Sequence, residues 1–177
     1  MYLVIMRKVV GVLMAVVVFG IVSCSKSMSQ YNEEIDRAEK LMQSSVDSAL
    51  SVLDAIEPSE LKIDSLRAKY HFLKGYAHLA GNRSMIGDSL VRYAYDYYRG
   101  KDIVRDIRSS IVFAWYKFWS GDTPGSLAML DSLSGLTRVP DSIMVQTLRV
   151  RALLGASEYQ GRQLIPFAKK LYELETD

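Results

Sequence analysis

The residue types that perform most enzymatic and metal chemistry are scarce in this chain of 177 residues. It has two histidines, His71 and His78, and a single cysteine, Cys24. These three residues cannot complete the four-ligand set of a Cys/His zinc site. The histidines are seven positions apart, which on a helix is two turns, or about 10 Å. We therefore expect no metal site and no cofactor, and both histidines to be exposed or partly packed.

Ser89 has the sequence context of a possible nucleophile. Residues 87–90 read GDSL, which resembles the nucleophile block of the GDSL esterases. In that family the serine follows a β-strand, and an Asp-x-x-His block near the C-terminus supplies the general base. Here both histidines precede Ser89 and the surrounding pattern is helical. A serine without a general base is a weak nucleophile, so we expect no enzymatic activity and no catalytic residue.

Cys24 follows a long apolar run. Residues 9–22 are fourteen consecutive apolar residues behind two bases. The run is short for a membrane span of about 20 residues but suits the apolar core of a secretory signal. It leads into IVSC at residues 21–24, which resembles the lipobox of bacterial lipoproteins. The resemblance implies that the Cys24 thiol takes diacylglycerol and that a signal peptidase cleaves between Ser23 and Cys24.

The N-terminal sequence thus predicts three parts. Residues 1–23 form a lipoprotein signal peptide, residues 24–30 a lipidated polar tether, and residues 31–177 a helical-repeat domain. The residue after Cys24 is serine and not aspartate. By resemblance to Gram-negative lipoproteins, this favours sorting to the outer membrane. We expect a protein that is anchored to the cell envelope by its lipid and faces the periplasm.

Composition indicates the class of the folded part. Hydrophobic residues make up 49% of the chain and charged residues 24%, which is typical of a globular domain and not of a disordered chain. The formal net charge of +2 gives no reason to expect a nucleic-acid partner. With 11 glycines and four prolines, the chain has few turn residues, which disfavours a many-stranded barrel or sandwich.

From Tyr31 onward, apolar residues recur every three or four positions. This spacing is typical of amphipathic helices, and no segment shows the sustained alternation of a strand. We predict an all-α domain of eight helices. Their predicted bounds are 31–43, 46–57, 62–80, 86–99, 103–119, 124–136, 141–156 and 160–175.

Turn residues mark the breaks between the predicted helices. Gly121 is expected to end the fifth helix in a left-handed conformation, and Thr123 to cap the sixth, with Pro124 in its first turn. Pro166 disfavours a helical conformation at the residue before it. This leaves open whether the last helix begins near residue 160 or only at Pro166.

Sequence similarities within the chain suggest that the helices form repeated pairs. GDSL at 87–90, PGSL at 124–127 and GRQL at 161–164 follow one another at 37 residues, each near the start of a pair's second helix. The segment VDSALSVLDAI at 46–56 also matches the segment TPGSLAMLDSL at 123–133. We call the distance along the chain between the starts of these two segments, from position 46 to position 123, the long offset. A helix pair repeated about every 37 residues is typical of an α-solenoid, and a plain helical bundle is the alternative.

The pairs resemble tetratricopeptide repeats. The resemblance spans roughly residues 31–175 and includes Gly75 as a small residue between helices, and Ala49 and Ala94 in second helices. The usual Trp-Leu-Gly-Tyr run is absent as a unit, and the spacing exceeds the family's period of about 34 residues. The resemblance implies a right-handed α-solenoid of about four antiparallel pairs. The chain as a whole looks like the tetratricopeptide-like lipoproteins common in Bacteroidota.

Aromatic residues are concentrated in the fourth and fifth predicted helices. Helical spacing cannot place all of them on one buried face. We expect Tyr95, Tyr98 and Tyr116 to lie outside the inward stripes through Ala94 and Phe118. These three rings are the candidate partner-binding residues, since solenoids bind peptides in a concave groove and exposed aromatic side chains contribute strongly to affinity. The alternative is that all of the rings pack in the core and between repeats.

These features predict a non-catalytic protein–protein interaction scaffold in the cell envelope. Its partner is a protein or peptide, and neither a nucleic acid nor a small-molecule substrate is expected. The alternative function is the sensor or N-terminal portion of a longer or split tetratricopeptide signalling regulator. That alternative follows from the absence of a polar capping helix after the last predicted pair, since terminal repeats normally need one.

Overall fold

The computed structural model describes residues 26–85, 87, 89–157 and 161–176, and within these the side chains at 157, 161–164 and 167 are left aside. The described residues form eight α-helices and no strand, which confirms the predicted all-α class for this part of the chain. The helices are α1 (Met28–Leu41), α2 (Val46–Asp54), α3 (Asp64–Ala80), α4 (Val91–Tyr98), α5 (Ile103–Trp119), α6 (Thr123–Ser134), α7 (Asp141–Ser157) and α8 (Gly161–Thr176). One turn of 3-10 helix at Pro58–Glu60 precedes α3.

Helix α1 begins earlier than predicted because a capping box starts it. The backbone N–H of Gln30 donates to Ser27 Oγ over 3.3 Å, and the backbone N–H of Ser27 donates to Gln30 Oε1 over 2.8 Å. Together they satisfy two donors that a helix start otherwise leaves unpaired. The segment predicted as a polar tether, residues 24–30, is therefore helical from Met28.

Helix α4 begins later than predicted, at Val91 instead of residue 86. Gly87 has a φ of +89°, a left-handed conformation that a continuing helix cannot contain. The GDSL motif at 87–90 therefore precedes α4, and Leu90 is 50% exposed. Its predicted counterpart Leu127 lies inside α6 and is 7% exposed. The predicted register between these two motifs is therefore wrong.

The long offset does match the helices. Helices α3 and α7 are both 17 residues long, and their first residues, Asp64 and Asp141, are separated by this offset. Helices α2 and α6 begin at Val46 and Thr123, with the same offset. Three pairs of buried residues share it: Ala49 with Ser126, Leu50 with Leu127, and Leu53 with Leu130. We call α1–α4 the first unit and α5–α8 the second unit of the described helices. Their second and third helices begin at corresponding positions, whereas their first and fourth helices do not.

An ion pair between neighbouring helices recurs at the long offset. Asp54 Oδ1, in α2, lies 3.1 Å from Lys74 Nζ in α3. Asp131 Oδ1, in α6, lies 2.5 Å from Arg151 Nε in α7. Both the acid and the base are displaced by the long offset between the two units. Each ion pair joins the second helix of one pair to the first helix of the next.

The helices pack both within and between pairs. Each pair (α1–α2, α3–α4, α5–α6 and α7–α8) is in contact, and the first helices α1, α3, α5 and α7 also contact one another in that order. One apolar cluster, around Ile35 and Tyr70, joins the first three helices. A larger cluster around Ile111 and Trp115 extends from α3 to α7. Phe72 packs against both clusters.

Gly75 is a point of close approach, as the sequence analysis expected of a small residue between helices. A Cβ atom at this position would lie 2.6 Å from Val112 Cγ1 and 2.9 Å from Val91 Cγ2. Both distances are well inside van der Waals contact. The absence of a side chain therefore lets α3 touch α4 and α5 at the same residue.

The turn chemistry between α5 and α6 differs from the prediction in one residue. Gly121 has a φ of +87° and ends α5 as expected. The cap of α6 is Asp122 and not Thr123, because Asp122 Oδ1 accepts the backbone N–H of Gly125 at 2.9 Å.

Helix α8 begins at Gly161, so Pro166 lies inside it and does not start it.

Candidate functional site

An open groove crosses the first helices of the first three pairs, α1, α3 and α5. It contains two cavities of about 440 and 280 Å³. Lys69, Tyr98 and Arg105 line both cavities, so the two adjoin. We call this surface the groove. The volume of the groove lies in the range of ligand-binding clefts. Its lining includes apolar, aromatic and charged side chains.

Lys69 lies at the centre of the groove and joins α3 to α1. Its Nζ is 2.7 Å from Asp36 Oδ1 and 2.5 Å from Glu39 Oε2. Burial alone would lower the pKa of Lys69, but the hydrogen bonds to Asp36 and Glu39 outweigh it and raise the pKa above its usual value. Lys69 is therefore a charged cross-link whose charge is already balanced by two carboxylates.

Arg105 and Arg108 present positive charge on the α5 side of the groove. Both side chains are exposed. The Arg105 guanidinium lies 5.8 Å from the centre of the Tyr98 ring. Two acids lie near these arginines in sequence. Asp102 accepts the backbone N–H of Arg105 at 2.7 Å as the cap of α5, and Asp106 Oδ2 accepts the backbone N–H of Gly100 at 2.8 Å. Within the described part of the chain, neither guanidinium forms an ion pair.

Tyr98 is buried, which contradicts the prediction that it is an exposed binding residue. It is 5% exposed and forms one inward stripe of α4 with Val91 and Ala94. Its ring packs edge-on against Phe72, with ring centres 6.1 Å apart, and against Tyr97, at 5.2 Å. Burial raises the pKa of its hydroxyl. The ring lines both cavities and so forms the base of the groove.

Tyr95 and Tyr116 belong to a different surface. Both are half-buried and flank Phe113, whose ring stacks on Tyr95 at 4.8 Å and on Tyr116 at 5.8 Å. Neither lines the groove cavities. The three predicted tyrosines therefore do not form one site, and partner binding by Tyr95 and Tyr116 stays a prediction. Phe118, expected to point inward, is also only half-buried.

The charged residues of the groove were not among the residues predicted from the sequence. Arg105 and Arg108 are three positions apart, so they share a helix face, and that face lies away from the inward Ile107 and Ile111. This spacing could have predicted a positively charged face of α5 from the sequence. Lys69 gave no comparable signal, since its partners Asp36 and Glu39 come from a different helix.

His71 is more deeply buried than expected, with 3% of its surface exposed. Its ring packs edge-on against Tyr70 and Tyr93, with ring centres 5.1 and 6.0 Å away. Burial, with smaller contributions from the positive charges of Arg67 and Lys74, lowers the pKa of His71 to about 4. The imidazole is therefore neutral at pH 7. His78 is partly buried, as predicted.

The remaining sequence candidates do not form a second centre. Ser89 is exposed in the turn before α4. Across the residues that the structure describes, no three side chains of His, Cys, Asp or Glu are grouped as metal ligands. Over the same residues, no helix has the length and hydrophobicity to cross a membrane. Ser23 and Cys24, the predicted cleavage and lipidation residues, lie outside the described residues.

None of the protein-family models, curated proteins and solved structures compared with this chain matches it.

Proposed function

We propose that this protein is a non-catalytic protein–protein interaction scaffold, held at the cell envelope by a lipid on Cys24. The groove is the observation that carries the proposal. It is open to solvent, it crosses three helices, and it offers Arg105 and Arg108 without ion-pair partners among the described residues. The burial of His71 supports a non-catalytic role, because a buried neutral imidazole between two tyrosines does not reach a substrate.

The proposal includes the architecture that the resemblance implies, a right-handed α-solenoid of four antiparallel helix pairs. Three observations support it. The first helices contact one another in chain order, each second helix contacts the first helix of the next pair, and the ion pairs Asp54–Lys74 and Asp131–Arg151 recur at the long offset. In a solenoid, stacked repeats create an extended surface for binding other chains. The groove would be part of that surface.

The anchor rests on the sequence around Cys24. The apolar run at 9–22 and the IVSC motif at 21–24 support lipidation, cleavage after Ser23 and sorting to the outer membrane, with the helices in the periplasm. Lipid attachment would hold the groove close to the membrane surface, where its partner is also expected.

The sensor portion of a longer or split signalling regulator remains the second candidate. It is supported by the exposed apolar surface of the last pair, where Leu153, Ile165 and Tyr172 are 46%, 64% and 70% exposed. Helix α1 has the polar residues Glu33 and Arg37 on its exposed side. Polar outer faces are typical of terminal repeats, so the apolar surface favours a further partner at the last pair.

Metabolic labelling tests the anchor. Cells that produce the protein are grown with radiolabelled palmitate and then fractionated. The wild type should carry label and sediment with membranes. Cys24→Ala should carry none and leave the membrane fraction, whereas Ser25→Ala, which keeps the thiol, should behave as the wild type. An unlabelled wild type would contradict the lipid anchor.

Crosslinking tests the scaffold role. A short-range crosslinker added to the same cells should give discrete complexes with the wild type. Their yield should fall with Cys24→Ala, because the protein then no longer shares the membrane surface with its partner. A labelled wild type that forms no complex would contradict the scaffold role and leave the anchor standing.

A further inference from the structure

The charged side chains of the groove have an excess of unpaired donors. Asp36 and Glu39 both accept from Lys69, and Asp36 also accepts from the Asn32 amide at 3.0 Å. Asp102 accepts the backbone N–H of Arg105, and Asp106, which lies between the two arginines in sequence, accepts that of Gly100. Among the described residues, the guanidinium groups of Arg105 and Arg108 form no ion pair. An occupant that complements these two guanidinium groups would therefore bring negatively charged acceptors.

The two arginines are placed to act together. They lie three positions apart on one face of α5, and both line the smaller cavity. Arg105 also lines the larger cavity, so it stands where the two adjoin. A guanidinium presents a planar set of donors that matches a carboxylate in two parallel hydrogen bonds. This geometry favours aspartate and glutamate over their amides.

Apolar side chains line both cavities beside the arginines. Ile63, which is 49% exposed, and Leu66 line the larger cavity. Phe72 and Val104 line the smaller one. A free anion would leave this apolar surface in water, whereas a polypeptide would cover it and remove it from solvent. Two adjoining cavities that each combine apolar and cationic side chains therefore fit a polypeptide segment long enough to span both.

We propose that the groove binds an extended acidic segment of another protein. One carboxylate of the segment pairs with Arg105 and Arg108, and neighbouring apolar side chains lie over Ile63 in the larger cavity and over Phe72 in the smaller one. Tyr98 is the ring beneath the segment. This inference rests on the scaffold role proposed above and states the chemistry of its partner.

Peptide binding to the full chain, purified in a non-ionic detergent, tests this proposal. The probes are fluorescent peptides with identical apolar flanks and a central Glu-Glu, Gln-Gln or Lys-Lys pair, and fluorescence anisotropy measures their dissociation constants. The dissociation constants of the Glu-Glu peptides should be lower than those of the Gln-Gln peptides by a factor of about ten or more. The Lys-Lys peptides should bind weakest, and added salt should weaken the Glu-Glu peptides most.

The double variant Arg105→Gln/Arg108→Gln should lose about tenfold or more in Glu-Glu binding and lose the preference over Gln-Gln. Arg92→Gln/Arg138→Gln removes the same charge from exposed positions outside the groove and should bind as the wild type does. Both variants should melt at the wild-type temperature, because all four side chains are exposed.

Three results would overturn the proposal. The first is equal binding of Glu-Glu and Gln-Gln peptides, or no binding of any peptide. The second is an equal loss in both double variants. The third is displacement of the peptides by inorganic phosphate, or Arg105-dependent binding to phosphatidylglycerol vesicles in place of peptides. Discrete crosslinked complexes in cells alongside any of these would leave the scaffold role standing and exclude only this partner chemistry.

Discussion

Leu127→Asp is expected to lower the free energy of unfolding by about 4 kcal/mol. Leu127 is 7% exposed in α6 and belongs to the larger apolar cluster with Trp115 and Leu130. A carboxylate there would lose its hydration without gaining a partner, and the apolar contacts of the leucine would be lost as well. Urea unfolding followed by far-UV circular dichroism measures the change.

Leu90→Asp is the matched control. Leu90 holds the same place in the GDSL motif that Leu127 holds in PGSL, but it is 50% exposed and precedes its helix. We expect its free energy of unfolding to change by no more than about 0.5 kcal/mol. Equal losses in the two variants would contradict the placement of the two motifs.

The titration of His71 should make the protein less stable as pH falls from 7. The pKa of His71 is about 4 in the folded protein, and the ordinary histidine value of 6.5 applies in the unfolded chain. Between these values the unfolded chain binds a proton that the folded chain excludes, so unfolding is favoured. The stabilisation is complete above pH 6.5 and is lost toward pH 4. The loss is about 2 kcal/mol at pH 5 and about 3 kcal/mol at pH 4.

One variant separates this effect from the titration of carboxylates. His71→Leu introduces the residue that the second unit has at the corresponding position, the buried Leu148, which follows His71 at the long offset. Between pH 7 and pH 5, the free energy of unfolding of His71→Leu should fall by about 2 kcal/mol less than that of the wild type. Identical pH profiles for His71→Leu and the wild type would show that His71 is not the titrating group.

Among the described residues, the number and type of the helices could be predicted from the sequence because they depend on local spacing. Apolar residues at three and four positions gave α5 its observed bounds, 103–119. The start of α4 could not be predicted in this way, since the φ of Gly87 interrupts a pattern that continues in the sequence. Tyr98 lies four positions after Ala94, and this spacing alone places both on one face. Its burial could have been predicted.

The groove depends on contacts between helices that are distant in the chain. Lys69 and Asp36 are 33 residues apart, and their ion pair exists because α3 packs against α1. Among the described residues Arg105 forms no ion pair, although Asp102 and Asp106 lie near it in sequence; these two acids accept the backbone N–H groups of Arg105 and Gly100. Neither result follows from composition or periodicity, since both require the packing of whole helices.

Photocrosslinking from within the groove, in intact cells, tests the scaffold role most directly. A photoreactive amino acid replaces Ser65, an exposed residue that lines the larger cavity, or Ser132, an exposed residue of α6 outside both cavities. Illumination should give discrete complexes from position 65 and none from position 132. The position-65 complexes should fall about tenfold when Arg105→Gln/Arg108→Gln is added. No complex from position 65, or the same complexes from both positions, would contradict partner binding in the groove.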